Sequence, residues 1–271
     1  MEVFIMLMVN FMKTRKSIRD FKDKKIKSGD VKKLNSIISE VNSLAKLCSV
    51  DFHLEENGAE VVEVLKGKGG YAGTMILAPA YIAMDIENEV PEAYIYGAYY
   101  MEDLITKLQD IGLGSCWISL HNADEESMQK AFPDKTGKIE FALGIGYPYA
   151  NLNIGEEKYS SRLGLEDFIY DGDFNTPIRI ETLESYGLDD LFYYLRYAPS
   201  SKNLQPWRFL ITDSEVELYI ENFDGHENYV DAGIVMYYYT KLAEASGIRA
   251  KWNLDEKPDA GNKKYIGTVN F

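Results

Sequence analysis

Residues 197–209 bring together the side chains in this chain that are best suited to holding a ligand. They read Tyr-Ala-Pro-Ser-Ser-Lys-Asn-Leu-Gln-Pro-Trp-Arg-Phe. Two serine hydroxyls, the amide of Asn203 and exposed backbone amides could hydrogen-bond to the polar edge of a flat heterocycle. The alternative is an ordinary connection between a helix and a strand, with Pro206 in the turn and Trp207 in the core.

A second polar segment, residues 14–21, reads Thr-Arg-Lys-Ser-Ile-Arg-Asp-Phe. It offers three cations and two hydroxyls just before an amphipathic helix pattern. Planar guanidinium groups and hydroxyl donors match the geometry of a phosphate or of a heterocycle edge. A solvated basic segment in front of a helix is the alternative interpretation.

The elements that must position these segments follow from hydrophobic periodicity. Residues 30–41, 94–110 and 188–195 have helical patterns, and residues 81–84, 140–147 and 265–269 have strand patterns. The 197–209 segment therefore lies between a helix and a strand.

Both polar segments resemble motifs of the FMN-dependent nitroreductase family. Residues 197–209 resemble its A-P-S-x-x-N-x-Q-P-W-x-F signature, and residues 14–21 resemble its R-R-S-x-R-x-F opening. The resemblance covers essentially the whole chain after about residue 13. It implies an α+β fold of the nitroreductase type and a noncovalently bound FMN.

Three further segments match the family less specifically, and the resemblance implies a role for each. Residues 112–118 resemble the family's G-x-G-t-x-W segment, whose backbone passes the flavin ring, although a helix-capping glycine before a strand explains them too. Residues 158–166 resemble K-x-R-x-P-L-E, which grips the FMN phosphate, with Gly164 in place of proline. The loop around residues 67–73 corresponds to one that lies over the pyrimidine edge of the flavin.

The resemblance thus implies a set of FMN contacts but no catalytic side chain and no metal ligand. The set is Arg15, Lys16, Ser17, Arg19, Tyr71, Gly73, Gly114, Ser115, Cys116, Lys158, Arg162, Pro199, Ser200, Ser201 and Asn203.

The order of the motifs predicts an internal repeat. In the family a single helix separates the two motifs, whereas about 180 residues separate them here. Residues 46–52 lack the loop motif, and residues 176–180 lack the basic opening. Two stretches can nevertheless be aligned: residues 110–117 and 245–252 each close a helix pattern, and each has Trp five places after its first glycine.

We therefore predict two diverged halves, residues 13–170 and a shorter 171–271. The second copy is expected to have no counterpart of residues 66–90, which include the 81–84 strand. Nitroreductases are normally intertwined homodimers with FMN in the interface. A tandem chain is expected to form a monomeric, intramolecular pseudo-dimer with one FMN site, each half having a mostly antiparallel sheet flanked by helices.

Composition narrows the class of protein. The chain has 271 residues, 46% of them hydrophobic and 13% aromatic, which is typical of a globular protein. A net charge of −14 disfavours binding to nucleic acid or to an anionic membrane. Two cysteines do not form a disulfide framework, so a cytoplasmic location is expected.

Several other motifs either match without the surrounding structure that they require or do not occur in the chain. Residues 67–72 fit G-x-G-x-x-A, but a proline and a strand pattern follow where a dinucleotide site needs a helix. The three histidines lack metal-ligand spacing, and there is no G-x-S-x-G and no P-loop. Residues 1–12 are apolar but too short to span a membrane, so we expect a packed arm, a strand or a misplaced start codon.

The function implied by the resemblance is an FMN-dependent oxidoreductase. It would pass hydride from NADH or NADPH to a nitroaromatic, quinone or flavin acceptor, with small molecules as its only partners. A non-catalytic flavin-binding protein that senses or stores the cofactor is the alternative, because each half has lost a motif. A structural pseudo-dimer without flavin is a third reading.

Overall fold

The computed structural model describes residues 10–12, 15–70, 74–149, 161–212 and 214–271. The chain divides into two compact units. The first unit is Lys16–Glu156, and the second unit combines Met1–Arg15 with Glu157–Phe271. Tyr71, Gly73 and Lys158, three of the predicted FMN contacts, lie outside the described residues.

The first unit alternates helices and strands along the chain. Its described elements are α1 (Ser28–Ala45), β1 (Val50–Glu55), α2 (Gly58–Leu65), β2 (Ala80–Ile86), α3 (Pro91–Asp110), β3 (Gly114–Ser119), α4 (Glu125–Ala131) and β4 (Lys138–Gly146). The strands form one antiparallel sheet in the order β1-β2-β4-β3.

The central strand and the longest helix of the first unit carry its core. All seven residues of β2 are buried; the apolar run from Ala80 to Met84 predicts this for the first five, and Asp85 is the exception. α3 begins at Pro91, whose fixed φ suits the first turn of a helix, and it buries one face from Ala93 to Leu108. Gly112, with φ +76°, then ends the helix and lets the chain turn into β3.

The second unit has a different mixture of elements. They are α5 (Leu165–Phe168), β5 (Ile169–Asp171), α6 (Ile180–Tyr186), α7 (Asp189–Leu195), β6 (Trp207–Thr212), β7 (Glu215–Glu221), α8 (His226–Ala245) and β8 (Lys263–Asn270). The sheet order is β5-β6-β7-β8, with β5 parallel to β6 and the remaining pairs antiparallel.

The two sheets repeat one pattern, because β6-β7-β8 pair in the same order and sense as β1-β2-β4. The expectation that the second copy lacks a counterpart of the 81–84 strand is therefore wrong: β7 takes that place. β6 ends at Thr212 and β7 begins at Glu215, so what is missing is the helical connection between the strands. The shorter connection shifts the spacing between the strands, so spacing alone does not reveal this counterpart.

The core of the second unit is built on α8 and on aromatic residues. Most side chains of α8 are buried, including Tyr237, Tyr238 and Tyr239. The ring of Tyr239 packs against Phe209 of β6 at 6.3 Å and against Trp252 at 5.2 Å between centroids. Such pairs add stability beyond the area that they bury.

The predicted fold class is confirmed: the chain is α+β, with two halves that each contain a mostly antiparallel sheet flanked by helices. Within the described residues, no helix is both long enough and apolar enough to cross a membrane.

Candidate functional site

The loop between α7 and β6 has an unusual backbone. Lys202, Asn203 and Gln205 all have positive φ, at 50°, 58° and 51°. For residues other than glycine, this left-handed conformation costs roughly 1–2 kcal/mol per residue. Residues 200–205, which we call the anchor loop, therefore need strong interactions to hold this conformation.

One set of interactions comes from the residues just before α5. Arg162 donates from Nη1 to the carbonyl of Ala198 at 3.0 Å and to Oδ1 of Asn203 at 2.9 Å. Nδ2 of Asn203 donates to the carbonyl of Ser161 at 3.0 Å. The structure therefore brings Arg162 and Asn203, both predicted contacts, into direct contact within the second unit.

Gln205 completes this side of the anchor loop. Its Oε1 accepts a hydrogen bond from the backbone N–H of Leu163 at 3.0 Å, and its own N–H donates to Oγ of Ser200 at 2.9 Å. The residue is 6% exposed. Gln205 thus ties the loop to the Arg162 segment, a role that the sequence analysis did not assign to it.

A second set of interactions comes from α8. Oδ1 of Asp231 accepts from the backbone N–H of Ser201 at 2.8 Å, and Oε2 of Glu227 accepts from Oγ of Ser201 at 3.0 Å. Neither carboxylate belongs to the predicted contact set. The available signal was a lone acid in the apolar helix run Val230-Asp231-Ala232-Gly233-Ile234.

Two arginines of the second unit lie close enough for their charges to interact. Arg15 and Arg162 are both half-buried in the second unit. Burial and the charge of Arg15 together hold the pKa of the Arg162 guanidinium below its usual range. Two guanidinium groups that repel each other in a partly desolvated place are stabilised by an anion between them.

Arg162 has donors to spare for such an anion. Its hydrogen bonds to described residues all leave from Nη1, so Nε and Nη2 are not engaged by the described part of the chain. Ser200 uses its oxygen as an acceptor and retains an O–H to donate. Pro199 and Ser201 are half-buried beside them.

The remaining predicted contacts gather in the first unit, along β3. The backbone N–H of Ile18 donates to the carbonyl of Ser115 at 2.9 Å, so residues 16–19 run beside this edge strand. Ser17 is half-buried, whereas Lys16 and Arg19 are exposed.

Gly114 allows this close approach. A Cβ at Gly114 would lie 2.7 Å from Cγ1 of Ile18, closer than two carbons can pack. The side chain of Cys116 is buried, so only its backbone could contact a ligand.

No group of three or more His, Cys, Asp or Glu residues in the described part of the chain is arranged to hold a metal ion. Asp85 is fully buried, but its hydrogen bonds go to His53, Thr136 and Gly137 and serve to hold a loop to β2.

Comparison with protein families gives one match that spans most of the chain. The family described as "Putative TM nitroreductase" matches residues 8–243. No curated protein sequence matches the chain.

Comparison with solved structures gives one match that shares the fold over nearly the whole chain. The crystal structure of a "putative nitroreductase" from Thermotoga maritima superposes with a TM-score of 0.61 at 15% sequence identity, covering 97% of this chain and 93% of that one. An FMN-dependent nitroreductase from Clostridium difficile covers 56% of this chain and 98% of its own, with 21% identity and a TM-score of 0.42. A Bacteroides fragilis nitroreductase with bound FMN covers 57% and 95%, with 17% identity and a TM-score of 0.45.

Proposed function

The chain belongs to the family described as "Putative TM nitroreductase", and from this premise we propose that it is an FMN-dependent oxidoreductase. Family membership supports an oxidoreductase in general. The finer proposal is that the protein takes hydride from NADH or NADPH and delivers it to a nitroaromatic, quinone or flavin acceptor.

The observation that carries the proposal is the pair of arginines beside the anchor loop. Burial and the charge of Arg15 both lower the pKa of the Arg162 guanidinium, and within the described residues Nε and Nη2 of Arg162 make no hydrogen bond. A phosphate monoester offers nearly two negative charges and three acceptor oxygens. The residues present therefore fit the phosphate of FMN, and we propose that Arg15 and Arg162 hold it.

The anchor loop is proposed to orient the cofactor. Ser200 has a hydroxyl hydrogen to donate, and Pro199 adds a rigid apolar surface next to it. Ser201 and Asn203 are hydrogen-bonded within the unit, so we assign them mainly to holding the loop in shape. This refines the predicted contact set without removing members from it.

Residues of the first unit are proposed as further contacts. Lys16, Ser17 and Arg19 supply donors next to β3, and the backbone of residues 114–116 has the small-residue character that close approach to a flavin requires. The contacts predicted for Tyr71, Gly73 and Lys158 remain predictions from the resemblance.

Bound FMN would supply the redox chemistry, accepting hydride from the nicotinamide and passing it to the acceptor. The protein's own part is to bind the phosphate, orient the ring and limit access of water. No side-chain acid or base is needed for this role, and we propose none.

The test begins with the purified protein, its absorbance spectrum and an FMN titration by fluorescence. Arg162→Ala should weaken FMN binding at least tenfold, whereas Arg249→Ala, at an exposed arginine of the same unit, should leave it unchanged. Addition of NADH or NADPH without oxygen should then bleach the flavin, and an acceptor should restore its colour.

The other outcomes separate the alternatives. Flavin colour that neither nucleotide bleaches would indicate a non-catalytic flavin-binding protein. Failure to bind FMN even after reconstitution would overturn the proposal.

A further inference from the structure

Residues 22–33 of the first unit, which we call the lysine strip, form a basic surface on an acidic protein. They include six lysines and two aspartates, whereas the whole chain has 29 Lys and Arg against 43 Asp and Glu. Lys22 is half-buried, and the other five lysines of the strip are exposed. Positive charge is therefore concentrated in one short, accessible stretch of the chain.

The lysines of the strip lack the partners that lysines have elsewhere in the unit. Six of the seven lysines at positions 34–149 form ion pairs, such as Lys46 with Asp51 at 2.9 Å. Within the strip only Lys33 forms one with a described residue, which is Asp30 at 3.5 Å. The described part of the chain therefore leaves most of the strip's charge uncompensated.

Tyr147, which directly follows β4, gives the strip a defined shape. Its hydroxyl donates to Oδ2 of Asp30 at 2.5 Å and accepts from the backbone N–H of Lys27 at 3.2 Å. The centre of its ring lies 4.2 Å from Nζ of Lys24, and its carbonyl accepts the N–H of Lys22 at 2.9 Å. The strip is thus tied to the end of a central strand, and a partner that meets such a preorganised surface has less conformational freedom to remove.

The strip also departs from what helix α1 needs at its start. Lys27 is the N-cap residue and makes no side-chain capping bond, although Ser, Thr, Asp and Asn are preferred at that position. Positive charge near the N-terminus of a helix is unfavourable as well. Departures from such local rules are expected where function requires them.

The composition of the strip favours an acidic protein over other polyanions. A lipid surface would need apolar side chains that insert into it, but Ile26 and Val31, the apolar side chains of the strip, are half-buried. A nucleic acid carries charge along its whole length, so it would extend past the strip onto a chain whose net charge is −14. A cluster of Asp and Glu on a protein can instead match the strip alone.

We propose that the lysine strip is a docking surface for an acidic protein, whose clustered carboxylates contact the exposed lysines. This partner is additional to the small molecules of the proposed function. Docking depends on the charges of the strip and on the shape that Tyr147 gives it, and it does not depend on a bound cofactor.

The first experiment titrates the protein into a fluorescent peptide of about eight glutamates, in about 20 mM and about 200 mM NaCl. The wild-type affinity should fall about tenfold or more between the two, because salt screens exposed charges. Lys25→Gln/Lys27→Gln/Lys32→Gln should weaken binding in low salt by about tenfold, since three exposed charge pairs are lost. Lys66→Gln/Arg249→Gln/Lys251→Gln removes the same charge from exposed positions elsewhere and should change the affinity by at most about twofold.

A second experiment separates a formed surface from a simple sum of charges. Tyr147→Phe keeps the ring and every lysine but removes the hydroxyl that bonds to Asp30 and to the N–H of Lys27. We expect the peptide to bind about threefold more weakly to this variant, because the strip is less well ordered before binding. In the wild-type protein, the peptide should shift the NMR signals of residues 22–33 most.

Several results would overturn the proposal. The wild-type protein could fail to bind the peptide in low salt, the two triple variants could lose equal affinity, or Tyr147→Phe could bind like the wild type. Tighter strip-dependent binding to an oligonucleotide of about eight nucleotides, or to vesicles with about 30% phosphatidylserine, would exclude an acidic protein as the preferred partner. None of these measurements uses FMN, so their outcome is independent of the proposed function.

Discussion

The indole Nε1 of Trp117 donates a hydrogen bond to Oε1 of Glu102 at 2.8 Å, which ties β3 back to α3. In the second unit, Nε1 of Trp252 donates to the carbonyl of Met236 in α8 at 3.3 Å. The two tryptophans are the ones that the internal repeat aligned. In both units, then, a tryptophan in the chain after the long helix is hydrogen-bonded to that helix, roughly two turns before the helix ends.

The acceptors differ, and so should the effects of removing the indole donor. Trp117→Phe takes a donor from a fully buried carboxyl group and should lower the free energy of unfolding by about 1.5–3 kcal/mol. Trp252→Phe takes one from a backbone carbonyl that also accepts from Thr240, so about 0.5–1.5 kcal/mol is expected. Urea unfolding of both variants measures the difference, and equal losses would contradict the assignment.

Arg15→Ala should weaken FMN binding more than it lowers the stability of the flavin-free protein. FMN binding should weaken by about 1.5–3 kcal/mol, because a charged contact to phosphate is lost. The loss of FMN affinity should exceed any loss of stability measured without FMN, because the contact to the phosphate exists only in the complex. Titration and thermal unfolding of the variant without flavin check both parts. A parallel loss of stability and affinity would mean that Arg15 acts through folding alone.

Local sequence patterns predicted the elements around the site well. The repeat aligned positions 110 and 245, and α3 ends at Asp110 while α8 ends at Ala245. The closing strand patterns at 140–147 and 265–269 correspond to β4 and β8. These features follow from periodicity and from glycine at helix ends, both of which are local.

The interactions that shape the anchor loop could not be predicted from local sequence patterns. Ser201 meets Asp231 across 30 positions, and Arg162 meets Asn203 across 41. No local rule predicts left-handed backbone at Lys202 or Gln205, since neither is glycine. The loop's composition predicted a binding segment, but its conformation depends on partners that only the folded unit brings close.

The half-buried His53 and the buried Asp85 form a pair that predicts a pH dependence of stability in the first unit. Nε2 of His53 lies 3.2 Å from Oδ2 of Asp85. The hydrogen bond to Asp85 raises the pKa of His53 above its usual 6.5. Burial pushes the pKa of Asp85 up, but hydrogen bonds from His53, Thr136 and Gly137 outweigh it and hold that pKa below its ordinary value.

The direction of the pH dependence follows from the difference between the pKa of His53 in the folded and in the unfolded protein. The contribution of His53 is complete below pH 6.5, the unfolded value, and is lost as pH rises through the raised folded pKa. His53→Gln keeps a neutral donor, so the gap between wild type and variant should be about 1 kcal/mol near pH 6 and should shrink above it. Urea unfolding from pH 6 to pH 9 measures the gap, and a constant gap would show that His53 is not protonated in the fold.

Gly114 should tolerate no side chain while Ile18 lies against it. In Gly114→Ala the new Cβ would lie 2.7 Å from Cγ1 of Ile18, so residues 16–18 must move away from β3 and the bond from Ile18 to Ser115 must lengthen or break. We expect a loss of about 1–3 kcal/mol in stability, as for other overpacked sites. Gly29→Ala, in the first turn of α1 with open space around it, should instead cost no stability and raise it by at most about 0.5 kcal/mol.

The cause of the Gly114 effect can be isolated with a double-mutant cycle. Ile18→Ala removes Cγ1 and Cγ2 and leaves only Cβ near the new methyl group, at 3.1 Å. If the clash is the cause, the double variant should be less destabilised than the sum of the single variants by about 1 kcal/mol or more, because the two substitutions share one contact. Additive losses would place the cost elsewhere in β3. The contact of residues 16–18 with β3 also positions Lys16, Ser17 and Ser115. The double variant should therefore recover FMN affinity relative to Gly114→Ala. Such a recovery would link packing at this edge strand to the proposed cofactor contacts.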